Sequence, residues 1–159
     1  MNRTMTLHVG DRAPDFTLPS SGGKPVTLSE LYAAKTVVVF FYPKDDTPGC
    51  TVEACSFRDS YESFVTAGAE VVGISSDSVD SHGRFIDKHK LPMTMLSDEG
   101  GRVRALFGVK ATLGLFPGRA TFVIDRKGIV RHVFVSQLRA GAHVGEALSV
   151  VRELTTAPP

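Results

Sequence analysis

Seven successive β-branched or aromatic residues, Thr36 to Tyr42, run without polar alternation, which is the pattern of a strand covered on both faces of a sheet. They predict the central strand. From Pro48 the period changes: Val52, Cys55, Phe57, Tyr61, Phe64 and Val65 recur at helical spacing until Gly68, and Val71 to Ser75 reads as the next strand. Strand, helix, strand in that order is a βαβ unit with a right-handed crossover. Upstream, Asp15–Leu18 and Val26–Leu28 flank a Ser-Gly-Gly turn and predict a hairpin, with Ser29 as the cap of one helical turn. Downstream, Ser78–His89 reads as a helix closed by Leu91-Pro92, Met93–Leu96 as a short strand at most, and Gly101–Phe107 as a short helix. Ala120–Asp125 and Ile129–Val135 are strands joined through Arg126-Lys127-Gly128, Val144–Leu154 is an amphipathic helix, and Thr155–Pro159 is a tail.

No repeat, linker or low-complexity run interrupts this order, so residues 1–159 are read as one domain. The compact solution is an α/β fold, a central mixed β-sheet flanked by helices with an appended N-terminal β-hairpin, in the thioredoxin-like arrangement. With 159 residues, 42% of them hydrophobic, the chain can build a real core. Eighteen Lys and Arg against seventeen Asp and Glu leave a formal charge of +1, which gives no overall footprint for nucleic acid or an anionic membrane. The longest apolar run, Val37–Tyr42, falls far short of the roughly 18 residues that span a bilayer. The start, MNRTMTLHVGDRAP, shows no signal-peptide core, and a cytoplasmic location is the expectation. Two cysteines do not make a disulfide scaffold, so any role they have is local.

Those cysteines, Cys50 and Cys55, lie in FFYPKDDTPGCTVEAC, directly after the central strand. Thr47 is placed to cap a helix whose first residue is Pro48, a position that tolerates proline because its missing N–H has no helical partner. Cys50 then falls at the third helical position, where free N–H groups and the positive end of the helix dipole favour a thiolate. Asp45 and Asp46 oppose that charge, so a cation is needed nearby. Arg119, at the mouth of the strand ATFVID, is the first candidate, and Arg58, two turns along the same helix, is the second. In an intact helix, residues five apart have Cα atoms roughly 8.7 Å apart, whereas a disulfide spans about 4.4 to 6.8 Å. A static disulfide is disfavoured, and one formed during a cycle requires the first turns to unwind. Cys55 also lies on the apolar stripe, where an ordinary core role would suit it. Cys-x4-Cys with no His pair at metal spacing argues against zinc. His8, His82, His89, His132 and His143 are read as surface or capping residues, and Gly114–Gly118 lacks a nucleotide-binding spacing.

These residues carry a resemblance. Pro43-x3-Thr47-x2-Cys50 resembles the active-site signature of the peroxiredoxins, and TPGCTVEACSFRDSY is similar to the subfamily called bacterioferritin comigratory protein or peroxiredoxin Q. GDRAPDFTL, VVGISSDS, SHGRF, LSDEG and LFPGRATFVID follow in the same order, so the likeness extends over nearly the whole chain, and LFPGR is similar to the plastid and cyanobacterial branch. The resemblance implies Cys50 as the peroxidatic cysteine, Cys55 as the resolving one, Thr47 as hydrogen-bond partner of the peroxide, Arg119 as stabiliser of the thiolate and developing charge, and Pro43 as a shield against water. It implies reduction of hydrogen peroxide and organic hydroperoxides through a Cys50 sulfenic acid and a Cys50–Cys55 disulfide, recycled by thioredoxin or a similar dithiol, without metal, haem or flavin. A monomer suffices, because both thiols are on one helix. One departure is LPMTMLSD where many relatives read LPFPLLSD; Met93, Thr94 and Met95 are expected to alter apolar packing at the periphery of the site. On the residues alone, a disulfide exchanger and a redox sensor or holdase remain alternatives. The absence of Cys-x-x-Cys and the presence of Thr47 weigh against the exchanger.

Overall fold

The computed structural model describes residues 7–109, 119–135 and 142–156. The elements are β1 (Thr17–Leu18), β2 (Val26–Thr27), α1 (Leu28–Ala34), β3 (Thr36–Phe41), α2 (Pro48–Thr66), β4 (Ala69–Ser75), α3 (Val79–His89), β5 (Thr94–Ser97), α4 (Arg102–Leu106), β6 (Ala120–Ile124), β7 (Val130–Val135) and α5 (Ala142–Thr156). β1 and β2 form the antiparallel hairpin. The other strands make one mixed sheet in the order β5-β4-β3-β6-β7, with the unbroken apolar strand β3 at its centre. β3 and β4 pair parallel, as the βαβ reading requires, and β6 runs antiparallel on the other side of β3.

Because side chains alternate along a strand, β3 feeds two cores. Val38 and Phe40 join Phe57 of α2, Phe85 of α3 and Val151 of α5 on one face. Val37, Val39 and Phe41 join Leu18, Leu28 of α1 and Val103 of α4 on the other. Phe40 and Phe41 are both fully buried, each worth about 1.5–3 kcal/mol relative to exposure. This double burial explains why the run shows no alternation.

The short strand expected at Met93–Leu96 is present one residue along, as β5, which pairs parallel with β4 and completes a second βαβ unit through α3. Two expectations are corrected. Ser29 is not the cap of α1. The cap position is Thr27, and the Asp15 carboxylate accepts from the Ser29 N–H at 2.9 Å and from its hydroxyl at 2.7 Å, so the hairpin itself closes the helix start. α5 continues to Thr156, taking two residues from the expected tail. The glycine-rich stretch at 114–118 and the LFPG part of LFPGR lie outside the described residues. Among the described residues, no helix is long and apolar enough to cross a membrane.

Candidate active site

β3 delivers the chain to the site as a fixed rod: the Tyr42 N–H still bonds the Ile74 carbonyl at 3.1 Å after the strand has ended. The chain then turns through Asp46, whose φ of 60° lies in the left-handed region that Asp tolerates better than most residues. Thr47 is extended at the N-cap, Pro48 opens α2, and Cys50 takes the third helical position. The expected capping bond is absent, because the Thr47 hydroxyl donates to the Lys44 carbonyl at 2.9 Å. No side-chain oxygen of the cap residue therefore accepts from the first-turn N–H groups.

Both cysteines are free thiols on an intact helix. Cys50 is 1% exposed. The antiparallel register sets Phe41 opposite Ala120, which brings Arg119 alongside the end of β3. Its Nη2 donates to the Cys50 sulfur at 3.4 Å, and its Nη1 to Glu53 Oε1 at 2.5 Å. Gly49 leaves room for this approach, since a Cβ there would stand 3.2 Å from Arg119 Nη2. Burial opposes the charge on Arg119, yet Glu53 and Cys50 outweigh it and hold the guanidinium above its ordinary range. Burial also pushes the Glu53 carboxyl up to about 8, against the pull of Arg119.

Sequence reasoning missed Glu53 and Arg104. Glu53 is one turn beyond Cys50 and completely buried, so an acidic residue on the inward side of an amphipathic helix was the available signal. Arg104 had no such signal. It is buried on α4, donates through Nη2 to the Tyr42 carbonyl at 2.8 Å, and stands over the Phe41 ring at 5.7 Å. Asp98 accepts from the Val103 and Arg104 N–H groups at 3.0 and 2.9 Å and so starts α4. Burial holds Arg104 below its ordinary range, while Asp98 and Cys50 act the other way.

The two aspartates are each given partners of their own. Asp45 accepts from Tyr42 Oη at 2.5 Å and Ser81 Oγ at 2.8 Å, and Asp46 pairs with Lys88 at 2.8 Å and His89 at 3.2 Å. Arg58, the second-choice cation, reaches Asp59 at 2.9 Å and the His89 carbonyl at 2.8 Å instead of Cys50. Asp59 and then Cys55 hold its guanidinium above its ordinary range. Cys55 and Pro43 are both half-buried, Pro43 two residues past the end of β3. His82 and His143 are not surface residues but fully buried, His143 with its Nδ1 2.6 Å from Thr121 Oγ1. Met93 and Met95 lie in the same apolar cluster as Cys50, and Met95 packs where a Cβ on Gly73 would meet its sulfur at 2.9 Å.

A buried thiol at an open helix start, with a guanidinium on its sulfur, suits nucleophilic attack with charge developing on the departing atom. The model of the AhpC/TSA family, peroxiredoxins among its members, matches residues 9–133. The chain belongs to that family. Within it the likeness is to peroxiredoxin Q. Chloroplastic peroxiredoxin Q from Sedum lineare is 52% identical over 146 residues, 91% of this chain and 78% of that protein. The Arabidopsis thaliana counterpart is 51% identical over 147 residues, covering 92% and 68%. The crystal structure of peroxidoxin BcpB from Mycobacterium tuberculosis superposes with a TM-score of 0.85 at 42% identity, covering 92% of this chain and 97% of that one. A structure of Xanthomonas campestris peroxiredoxin Q gives 0.81 at 31%, covering 89% and 92%. The peroxiredoxin is thus a thiol-dependent peroxidase of the atypical two-cysteine type with a thioredoxin-like fold.

Proposed function

We propose that Cys50 is the peroxidatic residue and Cys55 the resolving one, in a single domain that works as a monomer. The observation that carries this reading is Arg119 Nη2 at 3.4 Å from a buried Cys50 sulfur at the start of α2. The Cys50 thiolate attacks the terminal oxygen of the peroxide, the O–O bond breaks, and the alkoxide or hydroxide leaves and takes a proton from solvent. Cys50 becomes a sulfenic acid. Arg119, the Cys50 N–H and the Thr47 hydroxyl stabilise the charge that grows in that step. The hydroxyl must first turn away from the Lys44 carbonyl. Pro43 shields the pocket from bulk water.

The Cys55 thiol then condenses with the sulfenic acid, releasing water and forming the disulfide. With Cα atoms roughly 8.7 Å apart in a helix, the first turns of α2 open for this step. The family uses peroxides and thioredoxin-type reductants, and a thioredoxin reduces the disulfide by exchange. Two cysteines used in a redox cycle, with no disulfide framework in the sequence, suit a reducing compartment, and the cytoplasm is the proposed one. The plant relatives named above are chloroplastic. The test is peroxide-dependent oxidation of NADPH through thioredoxin and its reductase. Turnover with hydrogen peroxide and an organic hydroperoxide is expected; none, under conditions where a control peroxidase works, overturns the reading.

A further inference from the structure

Beside the active-site loop lies a buried polar cluster that the peroxidase chemistry does not use. His82, on α3, is 0% exposed and Asp45, on the loop, 7%. His82 Nδ1 is 2.7 Å from Asp45 Oδ2, and His82 Nε2 is 2.9 Å from the Leu96 carbonyl of β5. A carbonyl oxygen only accepts, so Nε2 carries a proton, and the 2.7 Å contact between Nδ1 and Oδ2 requires one proton between them. Tyr42 Oη also lies 3.3 Å from Nδ1, but its proton is directed to the nearer Asp45 oxygen. Tyr42 Oη donates to Asp45 Oδ1 at 2.5 Å, and burial together with Asp45 holds that phenol well above its ordinary range, keeping it a donor. Ser81 Oγ donates to Asp45 Oδ2 at 2.8 Å. From the end of β4 comes Asp77, which accepts from the Asp45 N–H and from Ser75 Oγ, both at 2.7 Å. Lys88 and His89 are further along α3 and are engaged with Asp46.

Asp45, Asp77 and His82 are close enough to hold a metal ion, but the oxygens that converge already take protein donors. The arrangement is that of a buried clamp. We propose that His82 is an imidazolium and a positioning residue: through Asp45 it fixes the loop from Pro43 to Thr47 ahead of Cys50. This rests on the reading of Cys50 as the residue that meets peroxide. Without the Nδ1 proton, two acceptors would face each other at 2.7 Å in a buried site, and the loop would let go. Displacing a reacting group by about 1 Å costs on the order of 100-fold in rate.

The test uses the full-length reduced protein, labelled with 15N for the His82 ring signals and mixed rapidly with hydrogen peroxide to time Cys50 oxidation. At pH 7 the wild-type ring is expected to show protons on both nitrogens. His82→Asn is expected to slow Cys50 oxidation about 10- to 100-fold. Asp45→Ala should lose as much, whereas Asp45→Asn, whose amide can donate to a neutral imidazole, should regain most of the rate and show His82 with one ring proton. A singly protonated wild-type ring at pH 7 overturns the proposal, and so does wild-type oxidation speed in His82→Asn. Should His82→Asn not fold, the Asp45→Ala and Asp45→Asn pair decides: equal rates for the two overturn it. A wild type that does not react with peroxide fails the peroxidase reading instead, and the ring signals then test the clamp on their own.

Discussion

Cys50, 1% exposed, sits at the third position of α2 against Arg119 and Glu53, with Arg104 on the neighbouring short helix. Cys55, five residues on, is half-buried, and Arg58, one turn further along the helix, reaches out to the His89 carbonyl at the end of α3. On the Cys50 side the supports are buried and charge-assisted, where a lost partner is expensive. On the α3 side Asp45 is held by the buried His82, while the neighbouring Asp46 pairs with Lys88 and the half-buried His89 at the surface, where such pairs contribute little. One helix therefore carries a deeply seated nucleophile and a more open second thiol. In the mechanism proposed above, reaction with peroxide uses the closed helix and disulfide formation an opened one.

The strongest test of this contrast is Cys50→Ser, which is expected to abolish NADPH-coupled peroxide reduction. Next comes Arg119→Ala. It removes the donor on the sulfur and is expected to lower kcat/KM for peroxide about 10²- to 10³-fold, the usual scale for one such donor. An unchanged kcat/KM would take Arg119 out of the reacting set. Cys55→Ser breaks the comparison from the other end. It should oxidise at the wild-type rate for one turnover and then stop as a sulfenic acid, seen as one added oxygen by mass spectrometry, with steady-state turnover down at least about tenfold. Wild-type turnover with thioredoxin would mean that Cys55 is not the required resolving residue.

How much of this was legible in the sequence follows from where each interaction is encoded. β3 and α2 were readable because period and composition are local properties of the chain, and the Thr47-Pro48 start followed from what proline lacks. Arg119 was reachable only through topology, by asking which strand runs beside β3. β5 was underestimated because four residues, Thr94–Ser97, carry too little periodicity; its pairing with β4 is a tertiary fact. Glu53, Arg104 and His82 were missed for a common reason. A charged residue reads as solvent-facing until its partner is known, and each partner lies far away in sequence: Arg119 for Glu53, the Tyr42 carbonyl for Arg104, Asp45 for His82. The same blindness applied to Asp45 and Asp46, read as opponents of the thiolate although each has its own donors.

The smallest expected effect tests how the buried side is charged. Burial raises Glu53 from 4.5 in the unfolded chain to about 8 in the fold. Between those values the native state holds a proton that the unfolded state has released. Stability contributed by the neutral carboxyl is therefore complete below about 4.5 and is lost as pH rises towards about 8, with a slope of up to ~1.4 kcal/mol per pH unit for one proton. Glu53→Gln keeps a neutral acceptor for Arg119 and cannot ionise. Urea unfolding at pH 5 and pH 8 should show a smaller loss of stability in Glu53→Gln than in the wild type, with peroxide reactivity at pH 7 changed less than about tenfold. In that case Glu53 orients Arg119 without neutralising it, and the guanidinium charge is left for the Cys50 sulfur. Equal pH slopes would mean instead that Glu53 is ionised in the fold and shares that charge, and the contrast between the two thiols would rest on burial rather than on charge.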